Sequence, residues 1–413
     1  MAATHSNPGD THMANKLDRI SFGKIVQIRE RLLKTQASGK KVFRFESGDP
    51  SFSVSDPVIA AIRQAAEAGK THYIPNDGIP ELKKELQGKL ENKNKIKLPS
   101  SDYIYVTNGA MHALYLVWQC LLEPGDEVIV PDPMWTEAVE NIRLAEATPV
   151  QIILSHEDGY RYDPKKIAAK INAKTKAIFV NSPHNPTGSV ASRETLMEIL
   201  ELAKQHNLFI VTDEAYEDVV YDAKHFSIAA LAQEKYKGAE GEALQRKIIS
   251  IYSFSKSYAM SGLRIGYLVT LDDSVRERIS KLLRCTINGV NSIAQWAAIA
   301  AVRTPVDHLE GMKKEYRERR KLMLDALTGI PGLHPFAPDG AFYLWCKVDP
   351  KLYQRLGVKN ADEVSNALAE KGIGSAPGDS FGLHCHDAIR FAYSCATPMV
   401  VEGTAELARF FGK

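Results

Sequence analysis

The chain has 413 residues, 44% hydrophobic and 25% charged, proportions that exclude a disordered, collagenous or coiled-coil protein. Lys and Arg number 52 against 50 Asp and Glu, a formal charge of +2, so the balance points to neither a nucleic acid nor a membrane surface as partner. The basic runs Lys89–Lys97 and Arg317–Lys321 are interleaved with Glu or Asn and read as solvated faces. No apolar stretch approaches the ~20 residues that span a bilayer. The five cysteines (Cys120, Cys285, Cys346, Cys385, Cys395) are scattered and form no C-x-x-C pair, so reduced thiols in a cytoplasmic protein are expected, with no metal site.

In chain order, residues 1–15 are polar and are expected to be a flexible tail. Ile20–Lys34 has the spacing of an amphipathic helix. Short β-rich runs follow at Tyr103–Thr107, Val128–Val130, Val150–Leu154, Ala177–Val180, Leu208–Thr212, Ile248–Tyr252 and Ile265–Thr270. Helical patterns lie between several of them, as at Ala110–Leu122 and Arg193–His206. Most of the runs are continuously apolar rather than alternating, which predicts a seven-stranded, mostly parallel α/β sheet covered by helices on both faces. The end of the chain predicts a helix over Asp307–Leu327, a strand over Gly340–Val348, a helix over Ala361–Lys371, a strand over Ile389–Tyr393 and a helix over Val401–Phe411. The expectation is a large α/β domain over residues 51–289 and a small α+β domain built from both chain ends, 16–50 and 290–413.

Four segments carry chemistry, although each alone also fits an ordinary turn or cap. At Thr107-Asn108-Gly109-Ala110-Met111 a strand ends and a helix begins, so free N–H groups and the positive helix end favour a phosphate, and Gly109 lets the backbone approach it. Asn181 to Gly188 is a Pro-rich turn that fixes the direction of Asn185; His184 is given no role. Asp213 closes an apolar strand, where open α/β sheets place ligands, and its buried charge calls for a cation. Tyr216 brings a phenol to the same cleft. Lys256 follows a strand in Ser253-Phe254-Ser255-Lys256, with Arg264 beyond it. A partly desolvated lysine near other cations has a lowered pKa and can form a Schiff base, while Ser253 and Arg264 suit a phosphate. Together these groups match a phosphorylated pyridine aldehyde, pyridoxal 5′-phosphate. Lys256 would take the aldehyde carbon and Asp213 the ring nitrogen. Asn185 and Tyr216 would reach the ring hydroxyl, and Gly109, Ala110, Met111, Ser253 and Arg264 would surround the phosphate.

The segments Ser182-Pro183-His184-Asn185-Pro186-Thr187-Gly188, Asp213-Glu214-Ala215-Tyr216 and Ser253 to Tyr267 resemble, in order and spacing, the class I/II pyridoxal-phosphate aminotransferases of the aspartate aminotransferase fold, fold type I. The resemblance extends over about residues 20–410. It implies that Gly48, in Gly48-Asp49-Pro50-Ser51-Phe52, lies beside the substrate. It implies that Trp135, in Pro131-Asp132-Pro133-Met134-Trp135, stacks on the pyridine ring. It implies that Arg390 grips the substrate α-carboxylate with Asn185 close by, and that Tyr73 reaches the cofactor phosphate of a neighbouring subunit in a homodimer. Met111 stands where many relatives have a polar residue, so that part of the phosphate cup is expected to be backbone alone.

The expected activity is transfer of an amino group between an L-amino acid and a 2-oxo acid, with ping-pong kinetics and an internal aldimine on Lys256. A β-lyase, an aminocyclopropane-carboxylate-type synthase or an amino-acid oxidase on the same cofactor is the alternative, since a fold does not fix a reaction. A non-catalytic sensor would need a DNA-binding unit, for which the segment ahead of the first helix is too short. The side-chain pocket is expected to draw on Ile20–Gly23, Trp135, Asn185, Phe381 and the partner subunit, with the amino donor left open.

Overall fold

The computed structural model describes residues 15–21 and 23–412. Most of the expected tail, and Phe22 of the expected pocket wall, lie outside them. Seven strands form the main sheet: β1 (Ile104–Thr107), β2 (Glu127–Asp132), β3 (Thr148–Ile153), β4 (Thr175–Asn181), β5 (Phe209–Asp213), β6 (Ile248–Ser253) and β7 (Gly266–Thr270). Their order is β1-β7-β6-β5-β4-β2-β3, parallel from β3 to β6, with β7 antiparallel to both β6 and β1.

The continuous apolar runs follow from burial on both faces. Val128, Val130, Phe179, Val211 and Ile251 face one layer of helices, packing with Leu114, Val117 and Trp118 of Ala110–Leu121 and with Ile279 and Leu283 of Asp273–Thr286. Their neighbours Ile129, Ile178, Val180 and Ile210 face the opposite layer, against Leu196, Ile199 and Leu200 of Arg193–Gln205. At the β1 end, Val106, Tyr267 and Val269 pack with Leu82 and Leu86 of Pro80–Lys89 and Ala294 and Ala298 of Ser292–Arg303. Helix starts are set locally: Ser192 Oγ accepts from Thr195 N and Asp272 Oδ1 from Val275 N.

A second, antiparallel sheet is built from β8 (Leu333–Phe336), β9 (Tyr343–Val348), β10 (Ala376–Pro377) and β11 (Ala388–Ala392), in the order β10-β11-β9-β8. Helices Val306–Leu327 and Thr397–Phe410 cover it through Met323, Leu327, Val400 and Leu407. Phe43 and Phe45 from near the start of the chain complete this core, and Phe43 bridges to Ile373.

The strand expected over Gly340–Val348 begins only at Tyr343, and two helices also differ from expectation. The first long helix runs Lys24–Ala37 rather than Ile20–Lys34, because Gly23 holds a non-helical backbone (φ −59°, ψ 134°). The last begins at Thr397 rather than Val401, because Pro398 in its first turn fixes a helical φ where no N–H is needed.

Candidate active site

The C-terminal ends of the parallel strands open onto one cleft. At the end of β4, the Asn181 side chain accepts from Asn185 N at 2.8 Å and donates to Asp213 O at 3.1 Å, so one amide ties the Pro-rich turn to β5. His184 is buried, with Nδ1 2.7 Å from Thr187 Oγ1, and burial pushes its pKa down to about 3. It is a neutral ring that braces the turn.

Asp213 is buried at the end of β5, and Oδ1 accepts from Ala215 N at 3.0 Å. Burial pushes its carboxyl up to about 6 and Glu214 adds to the rise, while the Ala215 N–H and Lys256 pull the other way. Desolvation outweighs the local partners, so this carboxylate gains when a cation reaches it.

Lys256 sits on Phe254–Ser257, one turn past β6, and Nζ donates to Gly48 O at 2.8 Å. The amine lies 5.8 Å from the Tyr216 ring centre and 5.7 Å from that of Phe342. Burial, reinforced by Arg390 and Arg264 and opposed by Asp49 and Asp213, brings its pKa down to about 8. Roughly a tenth is therefore free amine at pH 7 and about half at pH 8, the form that attacks carbonyl carbon.

Beside it, β7 returns antiparallel to β6 and places Gly266 opposite Ser253. Ser253 caps the short helix, accepting from Ser255 N at 3.1 Å. A side chain at Gly266 would press on Ala110 N at 2.9 Å and Tyr252 O at 2.7 Å, so glycine lets the Gly109–Ala110 turn pack directly on the strand. Gly109 itself has φ +83°, and a Cβ there would meet Arg264 Nη2 at 2.9 Å. Arg264 thus lies over the first N–H groups of helix Ala110–Leu121, and its Nη1 donates to Ser261 O at 2.8 Å. Met111, in that first turn, is 3.7 Å from Asn141 Nδ2 through its sulfur.

Arg390 rises from β11 and is buried. Nη1 donates to Asn185 Oδ1 at 3.0 Å and Nη2 to Glu46 O at 2.7 Å, while Nε is buried without a partner. Its guanidinium lies 4.3 Å from the Tyr343 ring centre and 4.8 Å from that of Phe381. Asp132, at the end of β2, holds the loop carrying Phe381 by accepting from His384 N and, at 3.0 Å, from Cys385 Sγ. The Phe381 carbonyl accepts from Met134 N at 2.6 Å, next to half-buried Trp135.

The structure therefore gathers Gly48, Gly109, Ala110, Asn185, Asp213, Tyr216, Ser253, Lys256, Arg264 and Arg390 around one cleft, with Met111 and Trp135 on elements bordering it. Tyr73 is not among them: it is 91% exposed and borders a separate groove of about 340 Å³ with Ile74 and residues 287–292. Sequence reading missed Tyr343, whose hydroxyl is 2.6 Å from that of Tyr216 and against which any side chain at Gly48 would collide. It also missed Asn181 and Glu46. Tyr343 lies in an apolar strand run that reads simply as core; Asn181 opens the turn and signals itself only through the polar residue at a strand end.

A family model described as aminotransferase class I and II matches residues 40–406. An aspartate aminotransferase of Bacillus sp. (strain YM-2) is 33% identical over 96% of this chain and 98% of its own length. A probable aspartate/prephenate aminotransferase of Aquifex aeolicus is 33% identical over 95% and 96%. Among solved structures, aspartate aminotransferase from Thermus thermophilus with maleate superposes with a TM-score of 0.87 at 29% identity, over 97% of this chain and all of that one. Alanine aminotransferase from Pyrococcus furiosus superposes with a TM-score of 0.87 at 28% identity, over 97% and 99%.

Proposed function

Given that this chain belongs to the class I and II aminotransferases and is a transaminase, we propose that it transfers an amino group from an L-amino acid to a 2-oxo acid using pyridoxal 5′-phosphate held in the cleft described above. The donor set fits that group. The half-buried amine of Lys256 suits its aldehyde, and the buried, under-compensated Asp213 suits its ring nitrogen. The glycine-lined cradle under Arg264, where a Cβ would intrude, suits its phosphate, with Ser253 beside it. Asn185 and Tyr216 offer N–H and O–H to its ring hydroxyl, and Trp135 a flat face. When bound, the cofactor supplies an exchangeable aldehyde and an electron-withdrawing ring.

The protein residues then divide the work. Arg390 takes the substrate α-carboxylate through its buried unpartnered Nε and neighbouring N–H, with Asn185 fixing the guanidinium plane. Lys256 would hold the cofactor and, as the base beside the substrate, would carry the proton taken from the substrate Cα. Gly48 keeps the space over the Lys256 nitrogen open, since a side chain there would strike the Tyr343 hydroxyl. The single observation that carries this reading is geometric: Lys256 Nζ on Gly48 O, Arg390 Nη1 on Asn185 Oδ1, and Asn181 tying Asn185 to Asp213 bring an amine, a guanidinium and a buried carboxylate to one cleft. The transaminase relatives do not favour the lyase, synthase or oxidase alternatives.

Two outcomes test the reading. Initial rates with varied amino donor and 2-oxo acid are expected to give parallel double-reciprocal lines, the mark of a two-stage exchange; release of ammonia from donor alone, with no acceptor present, would instead indicate lyase or oxidase chemistry. We also propose a homodimer in which exposed Tyr73 reaches the partner's phosphate cradle. Sedimentation should show a dimer, and Tyr73→Phe should weaken cofactor retention roughly tenfold, the worth of one charge-assisted hydrogen bond. A fully active monomer would refute it.

A further inference from the structure

On the Arg390 side of the cleft stands a carboxylate with one oxygen buried and unpartnered. Glu137 stands in the first turn of helix Thr136–Leu144, two residues past Trp135. This segment is held against the Arg390 side: Met134 N donates to Phe381 O, Thr136 Oγ1 donates to Ser380 O, and the Phe381 ring lies under the Arg390 guanidinium. Asn141 Nδ2 fixes the turn by donating to the Glu137 carbonyl at 2.7 Å. The Glu137 carboxylate itself has Oε2 buried without a partner, and among the described residues it forms no ion pair. Its neighbour Glu140, one turn along, shares a buried unpartnered Oε2 but has its charge met through Oε1, which takes both Ser21 Oγ and Arg143 Nη1.

Glu137 is not isolated from the substrate groove. Burial pushes its carboxyl up from the ordinary range, with Glu140 adding to the rise, although its own backbone N–H and the charges of Arg390 and Arg29 pull the other way. Unpartnered atoms of opposite sign thus stand on this side of the cleft: the Nε of Arg390 and, among carboxylates otherwise without an ion pair, the Oε2 of Glu137; Glu140 and Glu46 each keep an arginine on their other oxygen. Met111, on the adjoining helix start, presents a thioether and adds no positive charge. A ligand with a carboxylate at one end and a cation at the other satisfies both groups. One with two carboxylates leaves Glu137 facing a like charge, which is costly when partly desolvated.

We propose that Glu137 sets donor specificity, so that the pocket takes an L-amino acid whose side chain ends in an ammonium or guanidinium in preference to a dicarboxylic one. This rests on the transaminase reading only for the placement of the α-carboxylate at Arg390. The test uses holoenzyme and three inert acids of similar length: 5-guanidinopentanoate, 5-ureidopentanoate and pimelate, titrated calorimetrically. The guanidino acid is expected to bind about tenfold or more tighter than its neutral ureido counterpart, as a charge-assisted bond to Glu137 requires, with pimelate weakest. Glu137→Gln should bring the guanidino and ureido acids within about twofold of each other and strengthen pimelate, since only the charge is removed. In turnover, arginine should exceed citrulline in kcat/KM, chiefly through KM, and the variant should erase that ratio.

Equal binding of guanidino and ureido acids to the wild-type protein overturns the proposal, as does a preference that survives in Glu137→Gln. The wild-type comparison decides the matter even if the variant does not fold. If the inert acids show the preference while no amino acid yields a 2-oxo acid, the transaminase reading fails and the charge preference stands. If transamination proceeds with equal efficiency for arginine and citrulline, the preference fails alone.

Discussion

Lys256→Ala is expected to lower kcat by about 10⁴-fold or more, because one nitrogen serves as both nucleophile and proton carrier. The loss should appear in kcat rather than in substrate affinity, since Arg390 and Asn185 still hold the carboxylate. The fold should persist, as the lysine contributes one hydrogen bond to Gly48 O. Steady-state kinetics and circular dichroism check both halves; turnover near wild type would sink the assignment. The lysine also carries a pH signature. Burial and the nearby arginines favour the neutral amine, so it loses its proton near pH 8 rather than 10.5. In cofactor-free protein, modification of Lys256 by an amine-reactive aldehyde should rise with a midpoint near pH 8, read by mass spectrometry of the labelled peptide.

Asp213→Asn should separate activity from stability. With the cofactor's ring nitrogen as its partner, removing one member of a buried charge pair costs ~3–5 kcal/mol, so kcat/KM should fall about 10²–10⁴-fold. The cofactor-free protein should move the other way. The folded carboxyl titrates near 6 against an ordinary 3.8, so the folded state holds the proton more tightly. Between those values the folded chain binds more protons than the unfolded one, and stability falls as pH rises through the window. Above it the full penalty applies, roughly 2–3 kcal/mol at ~1.4 kcal/mol per unit. The uncharged amide lacks that penalty, so Asp213→Asn should unfold at higher denaturant concentration than wild type at pH 7.5, with the gap closing near pH 4. A variant less stable at pH 7.5 would show that the carboxylate is better paired than its surroundings indicate.

The large sheet was legible because burial on both faces forces unbroken apolar runs, and strands such as Val128–Val130 and Ala177–Val180 announce themselves that way. Asn185 and Lys256 were legible because each follows a strand end beside Pro or Ser, and Asp213 because it closes an apolar strand, where a charge interrupts the pattern. The short strands β8 and β10 were not, since both contain proline and neither has enough residues to show a period. Tyr343 was hidden for a different reason. Its neighbours Phe342 and Leu344 are as apolar as it is, and only the fold reveals that its hydroxyl faces Tyr216 and Gly48. Glu137 was hidden by its setting in a helix start, where an acid normally serves the helix dipole.

The bonds that complete the cleft join Glu46 to Arg390 across 344 positions and Gly48 to Lys256 across 208. Closing a loop of 344 residues costs about 3 kcal/mol more chain entropy than closing one of about ten. Local helices and neighbouring strand pairs form without that charge, so the contacts that complete the cleft bear a closure entropy that those local contacts do not. Catalytic competence is thus a report on whether the two ends of the polypeptide have found each other.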